Sequence, residues 1–225
     1  MTDSSPPVVA AELIRWSWVG THLDDITQRL LQHIQLTGLA VLIGLLLAFP
    51  LALAAIRWPR LYGPILGFTG ILFTIPSLAL FILLIPFTGL SIRTSLIGLT
   101  MYTLLILVRN MVVGLRGVDP DVREAAQAMG FTRARLLFQV ELPLALPVIM
   151  AGIRIATVTT IGLVAITALI GQGGLGQLFI DGFTLNFTTP ILVGIVLSAL
   201  LAFAADLLLV GVQRQLTPWA RSRRS

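Results

Sequence analysis

The sequence predicts an all-α, polytopic membrane protein with five transmembrane helices, and three observations carry that prediction. The first is composition. Of 225 residues, 56% are hydrophobic and only 11% charged, with a mean hydropathy of +0.96. Soluble domains average about 45–50% apolar and about 25% charged residues. The second is that the apolar residues fall into long runs, each near the roughly 20 residues a helix needs to cross a bilayer core. The third is that the charges flank these runs and are nearly absent from them.

The runs cover residues 34–56, 63–87, 94–115, 143–169 and 190–212. They are continuously apolar, whereas barrel strands alternate inward and outward faces, so helices are predicted. Pro76, Pro86 and Pro147 lie inside the second and fourth runs and predict kinks there. Residues 1–33 read as an external N-terminal segment. Asp3 and Glu12 precede any apolar run and no basic stretch leads it, which argues against a signal peptide. Within it, Leu23, Ile26, Leu30, Leu31 and Ile34 follow helical spacing after Trp16 and Trp18. That pattern predicts an amphipathic helix over 22–34 lying on the outer interface, with a simple lead-in turn as the plainer alternative. His33, at the mouth of the first run, is expected to be an interfacial polar residue. Residues 34–215 form the transmembrane domain and 216–225 a basic tail.

All fifteen basic residues are Arg. The absence of Lys excludes a P-loop lysine, a Schiff-base lysine and a Ser–Lys dyad. The absence of Cys excludes disulfides and thiol chemistry. His22 and His33 are too few for a histidine metal cluster. No catalytic residue, cofactor or metal is expected. With the N-terminus outside, the inner segments hold ten Arg (57, 60, 116, 123, 133, 135, 214, 221, 223, 224) and the outer ones three (15, 29, 93). This positive-inside bias places the 116–142 segment and the C-terminus in the cytoplasm. The basic balance is thereby accounted for by topology, and no nucleic-acid partner is expected. Trp58 and Tyr62 fit an aromatic belt at the inner boundary.

The segment 116–142 is the longest polar interruption. Asp119 is suited to cap a helix, Pro120 to its first position and Asp121 to its positive end. Gly130 can take the left-handed conformation that ends this helix, and Thr132 can cap a second one over 133–140, with Pro143 marking the start of the next span. The first helix carries Ala125, Ala126 and Ala128, and Met129 and Phe131 offer apolar surface at the turn. Physics alone leaves two uses open: docking of another protein, or packing back on the bundle.

Here the sequence shows Glu124-Ala125-Ala126, three residues, Gly130, nine residues, Val140, one residue, Leu142-Pro143. This resembles the EAA signature of permease subunits of binding-protein-dependent ABC importers, with Val140 in place of the usual Ile. The segments IPSLALFILLIPFTG (75–89), VRNMVVGLRGVDP (108–120), VELPLALPVIMAGIR (140–154) and LIGQGGLGQLF (169–179) resemble the osmoprotectant group, which handles glycine betaine, carnitine or choline. Similarity spans about residues 33–215. Departures are Leu105-Ile106-Leu107 where a Pro is expected, and Met111 for a more usual Thr; they bear on the substrate more than on the family. The resemblance implies the type I ABC importer permease fold in a bacterial inner membrane. It implies Glu124, Ala125, Ala126, Gly130, Phe131, Leu142 and Pro143 as the ATPase-coupling element. It also implies two ATPase subunits, an external solute-binding protein and a second permease subunit, identical or not. Permeases for an amino acid, methionine or a phosphonate are the nearest alternative. An ion-coupled carrier would want more buried acids than Asp206, and no residue cluster supports a membrane enzyme or scaffold.

Three ionisable residues fall inside spans: Arg109, Arg154 and Asp206. Each is expected about 10 Å in from its cytoplasmic end, so an Arg–Asp pair between helices is possible. Two roles stay open, a structural ion pair and a part in gating. The run GQGGLG (Gly171, Gly173, Gly174, Gly176) lacks the Lys-Ser/Thr ending of a phosphate loop. It is expected to form a re-entrant or gate-forming turn on the external side, or else an ordinary turn, with Asp181 and Asn186 facing the binding protein. Tyr102, alone within span three, makes no aromatic cage.

Overall fold

The computed structural model describes residues 14–220, and the described residues are helical apart from short connections. The helices are α1 (Trp16–Thr21), α2 (Leu23–Arg57), α3 (Pro59–Thr74), α4 (Ser77–Thr88), α5 (Ile92–Arg116), α6 (Pro120–Ala128), α7 (Arg133–Leu136), α8 (Leu142–Ile166), α9 (Gly176–Thr184) and α10 (Thr188–Leu216). Four helical stretches are long and apolar enough to cross a membrane, and a fifth crossing is made if the bent pair α3–α4 counts as one. Residues 1–13 and 221–225, including Arg221, Arg223 and Arg224 of the expected tail, lie outside the described residues.

Small residues set the centre of the bundle. Ala48, Ala52 and Ala55 of α2 are fully buried against Leu107, Val108, Met111, Val112 and Leu115 of α5, and Ala145, Ile149 and Ala156 of α8 close the cluster. Without a hydrophobic drive between helices in lipid, small side chains let backbones approach and gain dispersion contact. A Cβ on Gly152 would meet Asn110, and one on Gly114 would meet Ala145, so α5 and α8 run antiparallel at close range. Helix α10 is peripheral: only Thr189, Pro190 and Gly194 are buried along it.

Three expectations are corrected. The interfacial helix over 22–34 is the first part of α2, which runs unbroken for 35 residues. Nothing between Leu23 and Pro50 breaks a helix, and the chain breaks instead at His22, between α1 and α2. The boundary placed at residue 33 therefore has no structural counterpart. The span 63–87 is two helices bent by 98°. The ring of Pro76 disfavours helical ψ at the preceding residue, and Ile75 is extended (φ −64, ψ 129). The Ile75 carbonyl freed by this break accepts a hydrogen bond from the Tyr102 hydroxyl. Finally, the second hairpin helix is not separate from span four. Residues Arg133–Ile170 form one helical stretch of 38 residues, with a π turn over Leu137–Glu141. Pro143 has no N–H for the Gln139 carbonyl and its ring would clash there; widening the preceding turn relieves that conflict without ending the helix.

Candidate functional site

The hairpin is capped at both turns. The Asp119 carboxylate accepts from the Asp121 N–H at 2.9 Å, and the Thr132 hydroxyl accepts from the Arg135 N–H at 3.4 Å. Between them, the Phe131 N–H donates to the Ala126 carbonyl and the Met129 N–H to the Ala125 carbonyl. Gly130, at φ +82, makes this left-handed closure. The turn is tied to the spans by the Arg123–Glu141 pair at 2.8 Å and by the Arg123 guanidinium donating to the Leu115 carbonyl. Ala126 is buried, whereas Glu124, Ala125 and Gly130 are exposed and Met129 is 71% exposed. Phe131 is half-buried under the Arg135 guanidinium, 4.6 Å from its ring centre. Leu142 and Pro143 sit half-buried where the arm becomes span four. The hairpin's own bundle thus leaves one apolar and acidic face of the turn uncovered.

At the other end, α2 is bound to the loop between α8 and α9. Gly171 (φ +77) closes the 3-10 turn Thr167–Ile170. The Gly174 N–H donates to Gln32 Oε1 at 3.2 Å. Arg29 bridges Asp25 at 2.9 Å and Asp181 of α9 at 2.7 Å. Gly173 is seated on Ala168, Gly174 on Arg29 and His33, and Gly176 on Ala165. His33 is completely buried and its Nε2 lies 2.9 Å from the Ile161 carbonyl, correcting the expectation of an interfacial residue. The 22–34 face that looked amphipathic packs on protein: Ile26 joins Leu175 and Leu178 in a small core. Asp181, expected to face a partner, is engaged by Arg29, while Asn186 is exposed in the left-handed region at φ 50.

The three intramembrane charges are brought to one level, but only two meet. Arg154 is the central residue of α8, twelve residues from each end, not close to one end as expected. Its Nε and Nη2 donate to the two Asp206 oxygens at 2.7 and 2.8 Å. Arg109, adjacent to Asn110 and hence level with Gly152, is exposed and makes no ion pair among the described residues. The Arg154–Asp206 pair, Arg29–Asp181 and Arg123–Glu141 all join residues distant in sequence. Among the contacts missed by sequence reasoning, Asp25–Arg29 and Phe131–Arg135 carried a local signal, the i,i+4 spacing.

A broken second span, a tight α2–α5–α8 centre and an exposed capped hairpin define this chain, and comparison with known proteins gives it relatives. The family model described as "Binding-protein-dependent transport system inner membrane component" matches residues 38–218. The choline transport system permease protein OpuBB of Bacillus subtilis is 36% identical over 203 residues, covering 90% of this chain and 94% of that protein. The osmoprotectant import permease protein OsmW of Salmonella typhimurium is 40% identical over 192 residues, covering 83% and 89%. In fold, an inward-facing structure of the MetNI methionine ABC transporter matches with a TM-score of 0.78 at 22% identity, over 90% of this chain and 98% of that one. The chain belongs to the family of inner membrane components of binding-protein-dependent transport systems.

Proposed function

We propose that this chain forms the membrane path of an ATP-driven importer for an osmoprotectant such as glycine betaine, carnitine or choline. Its named relatives transport these compounds, and their similarity extends over most of the chain. The N-terminus lies outside and the C-terminus in the cytoplasm of a bacterial inner membrane, as the Arg bias favours. Two such subunits, identical or paired with a sister chain, form the path, since closed two-fold assembly is the commonest arrangement. Two ATPase subunits seat on the hairpins and an external binding protein delivers the solute.

The observation that carries this reading is the uncovered hairpin. Glu124, Ala125, Gly130 and Met129 sit in a capped turn yet are exposed, and a Cβ at Gly130 would meet nothing within 4 Å. The Arg123–Glu141 pair ties that surface to the start of α8, with Ala126, Phe131, Leu142 and Pro143 buried or half-buried behind it. Because α7, the π turn and α8 are one helical stretch, a push on the hairpin is delivered directly to span four. The GQGGLG turn at the opposite end of α8 then serves as the external gate, released when α8 tilts away from α2. The test is uptake by proteoliposomes containing the permease, its ATPases and its binding protein. Uptake of radiolabelled glycine betaine, carnitine or choline must require ATP and the ATPase subunits; uptake that persists without them refutes the reading.

A further inference from the structure

We propose that the groove between α8 and α10 at Arg154 and Asp206 is an intramembrane binding site for a zwitterion. Arg154 holds the substrate's carboxylate, and Asp206 with the face of Phe203 holds its quaternary ammonium. This rests on the osmoprotectant reading above and adds to it where the transported molecule touches the path.

The argument begins with position. Arg154 lies twelve residues, or about 18 Å, from either end of α8. Charges at that depth almost always face a bundle interior or a water-filled cavity. Yet each side chain of the pair is 32% exposed on this chain, so the face they occupy is not turned to lipid tails. The groove is open for a structural reason. Ala151 and Ala202 are small, and with Thr159, Ile155 and Phe203 they leave a volume of about 660 Å³ beside the pair, in the usual range for small-molecule sites. Phe203 is 64% exposed and Ile155 53% exposed.

Charge then selects the ligand. When empty, the two groups neutralise each other through two short hydrogen bonds. A zwitterion exchanges partners with no unpaired charge: its carboxylate replaces Asp206 on Arg154, and its ammonium takes Asp206 and the Phe203 ring face. A simple cation would engage Asp206 and leave Arg154 uncovered, which is costly in an apolar span. Arg109, at the same level and without an ion pair among the described residues, adds positive potential that favours an incoming carboxylate.

The test uses the complete complex in proteoliposomes, with uptake of glycine betaine and carnitine, both zwitterions, compared with choline, a cation. Arg154→Gln should reduce zwitterion uptake at limiting concentration at least about tenfold relative to choline, with assembly intact by size-exclusion chromatography. Asp206→Asn should reduce all three. The double reversal Arg154→Asp with Asp206→Arg keeps an ion pair and should assemble but not restore uptake, because Phe203 and Arg109 keep their places. Wild-type uptake of the double reversal, or an Arg154→Gln variant that lowers zwitterions and choline alike or lowers neither, overturns the proposal. Should Arg154→Gln fail to assemble, Phe203→Ala decides, since its exposed ring supports little packing: reduced uptake of all three upholds the site, and unchanged uptake overturns it. Failure of the osmoprotectant reading shows separately, as a wild-type complex that carries none of the three compounds, and the proposal then falls with it.

Discussion

Gly130 and Gly174 both hold a positive φ, +82 and +48, in turns at opposite ends of the bundle, but their surroundings differ. A Cβ at Gly130 would meet nothing within 4 Å, whereas one at Gly174 would stand 2.7 Å from the Arg29 carbonyl oxygen and 2.8 Å from the His33 nitrogen. The first glycine is needed for backbone conformation alone. The second is needed for conformation and for close approach of α2. The hairpin end is therefore a shaped surface with little packed on it, and the glycine-loop end is an internal joint. On the proposed function the first end receives a partner, while the second holds the chain to itself.

The sharpest way to break this comparison is Gly174→Ala. The methyl meets backbone on α2 and the residue is left in a left-handed conformation, together costing about 2–4 kcal/mol. Thermal unfolding in detergent should fall by roughly 5–15 °C; an unchanged midpoint would show that the joint is not tight. His33→Ala comes next. It removes a fully buried ring and its bond to the Ile161 carbonyl, for about 2–3 kcal/mol by the same measurement. Gly130→Ala should cost only about 1 kcal/mol, since strain acts there without a clash. Its larger consequence is functional: ATP-driven uptake should drop several-fold, and Gly130→Asn, which tolerates this conformation better, should recover part of it. Arg29→Gln releases Asp181 and should cost about 1 kcal/mol or less, as partly exposed ion pairs do. The smallest stability change belongs to Glu124→Gln, within about 0.5 kcal/mol, while uptake and retention of the ATPase subunits on an affinity column both decline. A Glu124 variant that unfolds as readily as Gly174→Ala would mean the hairpin is packed, not open.

Much of the fold was legible because its signals are local. The span over 94–115 became Ile92–Arg116 and that over 190–212 became Thr188–Leu216, since unbroken apolar runs have one stable form in lipid. The hairpin caps were legible for the same reason: Asp119, Pro120, Gly130 and Thr132 act within one turn of themselves. Proline was legible in kind but not in degree. Pro76 broke its span by 98°, whereas Pro50 and Pro147 remain inside continuous helices. A proline removes one bond and clashes with one carbonyl; whether the helix then breaks depends on what satisfies the freed group, and at Ile75 that is Tyr102 from another helix.

The candidate sites divide along the same line. Composition and spacing determined that this chain lies in a membrane as helices, where its Arg residues concentrate, and that an exposed capped turn interrupts the spans. These follow from transfer energies and backbone geometry, which depend on a residue and its near neighbours. Only the tertiary structure decided that Arg154 meets Asp206 and not Arg109, that Arg29 reaches Asp181, and that His33 is buried under α8 and not at an interface. Those outcomes depend on helix rotation and on approach distance. Both are set by the small residues of α2, α5 and α8 acting together, and no short stretch of the chain encodes them alone.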